Sequence, residues 1–164
     1  MKITKFIVGT KSKSYPIYFG NNILNTTGKL IKKNLSGVKK ICIIADNKLP
    51  KLLLKKLINS LKKYDLVIYK LSANEKNKSL KVANKIIENL LKANFNRSDC
   101  VIALGGGIIG DLSSFVSNLT KRGLKFINIP TTLLAQVDAS IGGKTGVNSE
   151  QGKNLIGTYY QPDF

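Results

Sequence analysis

Apolar positions along this chain follow two periods. Residues 40–45 (KICIIA), 66–71 and 100–104 are short blocks of continuous or near-continuous apolar character, the signature of strands covered on both faces. Between them the spacing changes. Leu49, Leu53, Leu57 and Leu61 recur every four residues with Leu54 and Ile58 beside them, which predicts an amphipathic helix over 50–63 with Pro50 in its first turn. Ala83, Ile86, Ile87, Leu90 and Leu91 mark the apolar face of a second helix over 79–93. A further helix is predicted over 22–34, and residues 2–8 and 15–19 read as a pair of edge strands. Strands alternating with helices through short connections predict an α/β, Rossmann-like domain, a mostly parallel sheet with flanking helices. No internal repeat or Pro- or Ser-rich linker interrupts it, so residues 1–164 read as a single domain, which their number is enough to build around one core.

Charge changes this picture less than its size suggests. The chain carries 27 basic and 9 acidic residues, a net charge of +18, which invites a polyanion-binding reading. Yet Arg97 and Arg122 are its sole arginines, and the lysines scatter over predicted helix faces as a solvated surface would have them. Nucleic-acid readers favour Arg for base contacts and aromatics for stacking, so nucleic acid is not the expected partner. No apolar run reaches the ~18 residues that span a bilayer. Lys2 and Lys5 break up the N-terminal segment, so a signal peptide is not indicated. Cys42 and Cys100 sit inside apolar strands, no CxxC spacing occurs and histidine is absent, which argues against a zinc site built from this chain alone. The chain reads as cytoplasmic and reduced.

Candidate chemistry concentrates after residue 104. Of the 27 basic and 9 acidic residues, 22 and 5 respectively lie in residues 1–104, so the remainder is nearly neutral. Gly105, Gly107 and Gly110 satisfy G-x-G-x-x-G directly after a predicted strand and at the start of a predicted helix, where glycine lets a backbone approach a pyrophosphate on the helix N-terminus. The motif falls late in the chain, and Pro130 and Thr131 stand where a ribose-binding acid is usual; a glycine-lined turn that binds nothing is the alternative. Gly143-Lys144-Thr145 looks like the end of a P-loop, but Asp138 occupies the position of its first glycine, so an ATPase is not expected. What remains is a lysine on a double-glycine turn, suited to an anion. Asp46 closes a buried strand, placed either to take ribose hydroxyls at a carboxyl edge or to cap the next helix. Glu75 and Lys78 follow the next strand. Asp138 follows the run Leu-Leu-Ala-Gln-Val, where an unpaired acid at a buried rim is costly without partners.

Taken together, GGGIIGDL, KRG, IPTTLLAQVDASIGGKTGVN and GKNLIGTYYQP resemble the N-terminal domain of 3-dehydroquinate synthase, the NAD-dependent cyclase of the shikimate pathway. The likeness is dense over 104–162 and thinner upstream, where Asn74 replaces the glycine of a Gly-Glu-x-x-Lys loop. It implies that Asp46, Glu75 and Lys78 bind the adenosine side of NAD and that Gly107, Ile108, Ile109, Gly110 and Asp111 cradle its pyrophosphate. Thr131, Thr132, Lys144 and Lys153 would also line the dinucleotide. Asp138, Lys144 and Asn154 would face a seven-carbon sugar-acid phosphate, and Arg122 would reach the phosphate from the neighbouring subunit of a homodimer. The family holds a divalent metal, zinc or cobalt, with a Glu and two His of a C-terminal helical domain that these residues do not include. The resemblance therefore implies an NAD-binding half of the enzyme, without turnover of its own. A non-catalytic nucleotide-binding or basic interaction module, and a related sugar-phosphate cyclase, are the competing readings.

Overall fold

The computed structural model describes residues 3–10 and 13–164. Its first element pair is a separate antiparallel hairpin, β1 (Thr4–Gly9) and β2 (Ser14–Phe19), running from Thr4 opposite Phe19 to Gly9 opposite Ser14. These are the two strands expected at the N-terminus, save that the predicted start at Lys2 lies outside the described residues. They form their own ribbon and do not edge the main sheet. The helix predicted over 22–34 is shorter: a 3-10 turn, Ile23–Thr26, precedes α1 (Thr27–Asn34). Asn22 has a positive φ of 56°, and the Thr26 hydroxyl donates to the Ile23 carbonyl at 2.7 Å, which closes the tight turn before the α-helix begins.

The main sheet has four parallel strands, β3 (Lys40–Asp46), β4 (Asp65–Leu71), β5 (Cys100–Gly105) and β6 (Lys125–Pro130), in the order β4-β3-β5-β6. Three helices connect and flank them, α2 (Lys51–Ser60), α3 (Leu80–Lys92) and α4 (Gly107–Leu119). Alternation along β3 and β5 divides the core in two. Cys42, Ile44, Val101 and Ala103 pack with Ala83, Ile86 and Leu90 of α3 and Ile109, Leu112 and Val116 of α4. Ile41, Ile43, Cys100, Ile102 and Leu104 pack on the other face with Ile31 of α1 and with Leu57 and Leu61 around α2. Each such fully buried aliphatic side chain contributes about 1.5–3 kcal/mol. Both periodic helices are thus oriented as the spacing predicts, except that Leu91 falls on the exposed side of α3. Ser79 caps α3, its hydroxyl accepting from the Val82 N–H at 3.4 Å.

Both cysteines are free and buried. Burial pushes the Cys42 thiol up to about 12 and raises Cys100 as well, so neither is a thiolate at neutral pH. Among the described residues no helix is long and apolar enough to cross a membrane.

The chain crosses the sheet from β4 to β5, on the opposite side of β3. The strand order therefore reverses between β3 and β5, and a crevice opens at their carboxyl ends, where doubly wound sheets bind ligands. A last hairpin, β7 (Lys144–Ser149) and β8 (Gly152–Tyr159), covers α4 next to that crevice. Val147 enters the core there, and the Asn118 side-chain amide donates to the Thr158 hydroxyl at 2.7 Å.

A candidate cofactor and substrate crevice

The glycine block forms the strand-to-helix turn that the motif predicts. Gly105 ends β5, Gly106 precedes α4, and the Gly110 N–H is bonded to the Gly106 carbonyl at 3.0 Å. The N–H groups of Gly107, Ile108 and Ile109 in the first turn point out of the helix end, where they favour an anion. A side chain has no room at Gly105 and little at Gly106. A Cβ on Gly105 would lie 2.6 Å from Ile109 Cγ1, and one on Gly106 would lie 3.2 Å from Thr132 Cγ2. Ile109 itself is a core residue, so it offers the crevice its backbone and not its side chain.

Asp46 stands beside this turn at the end of β3. Its Oδ1 accepts from the Lys48 N–H at 3.1 Å and the Ala73 N–H at 3.4 Å. Helix α2 starts five residues later with no side-chain cap, so of the two readings open for Asp46, helix capping is excluded.

A partly buried polar cluster joins the loop after β4 to α4 and β8. The Lys78 side chain is 6% exposed and ion-paired with Asp111, itself 23% exposed; the same ammonium donates to the Asn154 side-chain carbonyl. Burial raises the Asp111 carboxyl above its usual range, while the Lys78 hydrogen bond and charge pull it back down and the charges of Glu75 and Asp138 push it up. Glu75 shows the opposite balance: a hydrogen bond from Asn148 holds its carboxyl below the usual range, with Lys153 and Lys78 assisting. Lys153 Nζ lies 3.6 Å from Glu75 Oε1 on the exposed rim.

Other predicted residues line the same edge less tightly. Thr132 turns the chain after β6, its hydroxyl accepting from the Ala135 N–H at 3.2 Å, and the Thr131 N–H is bonded to the Gly105 carbonyl at 2.9 Å. Asp138 lies in a π-helical turn, Ala135–Ala139. Of the apolar run before it only Ala135 is buried, and Leu133, Leu134 and Val137 are exposed. Asp138 therefore sits in solvent and carries none of the desolvation cost expected of an acid at a buried rim. Lys144 opens β7 after two glycines with φ of 97° and 69°, and borders a small recess with Gly110, Asn128 and Ser140.

Arg122 lies apart. It is at the amino edge of the sheet, beside Lys13, Arg97, Lys125 and Asp163, in a stretch where Lys121, Arg122 and Gly123 all have positive φ. The crevice also holds a residue that motif reading passed over, Asn148, whose side chain meets both Glu75 and the Asn154 backbone. Its signal was an asparagine inside a strand, a residue type that strands disfavour. Among the described residues no three His, Cys, Asp or Glu are grouped to hold a metal ion.

Comparison with known proteins shows what the chain and its fold are similar to. The family model described as 3-dehydroquinate synthase N-terminal matches residues 68–164. The 3-dehydroquinate synthase of Pelagibacter ubique is 52% identical over 164 residues, covering 100% of this chain and 45% of that protein. The structure of 2-deoxy-scyllo-inosose synthase complexed with carbaglucose-6-phosphate, NAD+ and Co2+ superposes with a TM-score of 0.90 at 26% identity, covering 98% of this chain and 44% of the other. ValA, a 2-epi-5-epi-valiolone synthase of Streptomyces hygroscopicus with NAD+ and Zn2+ bound, gives 0.80 at 26% identity, covering 96% and 44%. The chain spans less than half the length of the relatives it matches.

Proposed function

This chain belongs to the 3-dehydroquinate synthase family by its N-terminal domain, and from that premise we propose that residues 1–164 form the NAD-binding half of that enzyme. The reaction is conversion of 3-deoxy-D-arabino-heptulosonate 7-phosphate into 3-dehydroquinate and phosphate, a carbon–oxygen lyase step of the shikimate pathway in the cytoplasm. The observation that carries the reading is the buried Lys78, tied to Asp111 and Asn154 beside the glycine start of α4.

The crevice fits a dinucleotide. The first-turn N–H groups of Gly107, Ile108 and Ile109 suit a pyrophosphate, and the bare Gly106 leaves backbone accessible where a Cβ would press on Thr132. NAD, when bound, supplies a reversible hydride acceptor for a substrate hydroxyl. Asp46, Glu75 and Lys78 hold the adenosine side, and Thr131, Thr132, Lys144 and Lys153 line the rest. Asp138, Lys144 and Asn154 orient the substrate's hydroxyl and carboxylate groups. Exposed lysines at this rim offset the charge of a phosphorylated acid.

A metal does not fit these residues. No histidine is present and the described residues group no ligand set, so no step is derived through one. In this reading Arg122 serves the phosphate of a neighbouring copy in a homodimer, which its place at the opposite edge supports. The related sugar-phosphate cyclases are the second reading, supported by the likeness to 2-deoxy-scyllo-inosose synthase; the 52% identity to a 3-dehydroquinate synthase favours the first.

The test is phosphate release from 3-deoxy-D-arabino-heptulosonate 7-phosphate with NAD. The 164-residue chain alone is expected to bind both without turnover, and steady release of phosphate by the pure chain would refute the half-site account.

A further inference from the structure

The geometry points to Asn148 as the positioning residue of this crevice: one side chain fixes the loop that carries Glu75 and Lys78 and the bulge that carries Asn154. The inference rests on the NAD-binding reading and adds a residue that reading does not use.

Asn148 reaches three partners. Its amide donates to the Glu75 carboxylate at 2.7 Å and to the Glu75 carbonyl at 3.1 Å. Its side-chain oxygen accepts from the Asn154 N–H at 3.0 Å. Its own N–H donates to the Lys78 carbonyl at 2.8 Å. No other side chain in this cluster meets both the loop and the hairpin backbone.

The hairpin is shaped for that contact. Val147 pairs with Ile156 and Ser149 with Gly152, so two steps along β7 are matched by four along β8. The surplus on β8 is a bulge that re-aims side chains. At its centre Asn154 has a φ of 60°, a conformation Asn tolerates better than most residues. The Asn148 oxygen holds that backbone, and the Asn154 side chain then meets the Lys78 ammonium. Lys78 and Asn154 thus face the crevice in one arrangement, with both sides of the pair anchored through Asn148.

Three measurements on the 164-residue chain test this: NAD affinity by calorimetry, the Glu75 carboxyl titration by NMR, and thermal unfolding to confirm that each variant folds. Asn148→Ala is expected to weaken NAD binding roughly tenfold and to return Glu75 towards its ordinary titration range. Asn148→Asp keeps the acceptor for the Asn154 N–H but sets a carboxylate against Glu75. Its NAD affinity is expected to be poor at pH 8 and to improve towards pH ~5, as one carboxyl of the facing pair takes up a proton; Asn148→Ala should show no such recovery. A purely structural asparagine would lower the unfolding temperature without this pH profile. If Asn148→Ala binds NAD within about twofold of the parent chain, or leaves the Glu75 titration unmoved, the positioning role is overturned. Failure of the parent chain to bind NAD would instead overturn the reading beneath it, so the two failures are distinguishable.

Discussion

Asp99 at the amino edge of the central sheet and the carboxylates around Lys78 at its carboxyl edge are held differently. At the amino edge Asp99 is 2% exposed and its carboxylate takes three backbone N–H groups: Lys39 at 3.1 Å, Lys40 at 2.9 Å and Asn96 at 2.8 Å. At the carboxyl edge Asp111 and Glu75 meet side chains instead, Lys78, Asn148 and Lys153. A carboxylate saturated by backbone closes a loop and has little left for a ligand. One paired with side chains can exchange a partner when a substrate or cofactor arrives.

The largest expected effect breaks the amino edge. Asp99→Ala strands three partly buried backbone N–H groups and should cost about 3–5 kcal/mol in denaturant unfolding, with no change in NAD affinity for whatever fraction folds. Next is Lys78→Ala, which leaves Asp111 unpaired and should cost about 2–4 kcal/mol, but with loss of NAD binding as well. A chain destabilised by Lys78→Ala that still binds NAD at parental affinity would erase the contrast between the edges. Gly105→Ala, which drives a Cβ onto Ile109, should cost about 1–3 kcal/mol by overpacking and displace the turn. The smallest effect is Glu75→Gln, whose lost ion pair with exposed Lys153 is worth under about 0.5 kcal/mol in stability.

The pH dependence of stability sharpens the same contrast within the carboxyl edge. Glu75 is held below its ordinary value, so its contribution is present above the usual carboxylate range and lost as pH falls through the folded value. Asp111 is raised, chiefly by burial. Its contribution has the opposite sign, present below the unfolded value and lost as pH rises through the folded one. Carboxyl titrations followed by NMR should show the two moving apart from their common range; coincident titrations would refute the partner assignments.

How much of this was legible in the sequence follows from range. Strands β3 and β5 and helices α2 and α3 announced themselves because burial on two faces writes a period into consecutive residues. The glycine turn was legible for a similar reason, since Gly105 and Gly106 are constrained by neighbours close along the chain or across one strand. The β7–β8 hairpin was not, because its polar composition conceals a strand pair that α4 and one core residue, Val147, hold in place. Asp99 and Asn148 were invisible for want of a motif: their partners are backbone groups and side chains up to 73 residues away. Arg122, expected to act from a neighbouring subunit, lies at the other edge of its own chain, beside Lys13, Arg97, Lys125 and Asp163.

The most direct test of the central claim is a calorimetric titration of NAD into the 164-residue chain. The account predicts a saturable isotherm with one site per chain that is abolished by Lys78→Ala and unaffected, per folded molecule, by changes at Asp99. No heat of binding at millimolar NAD from a chain shown to be folded would contradict it.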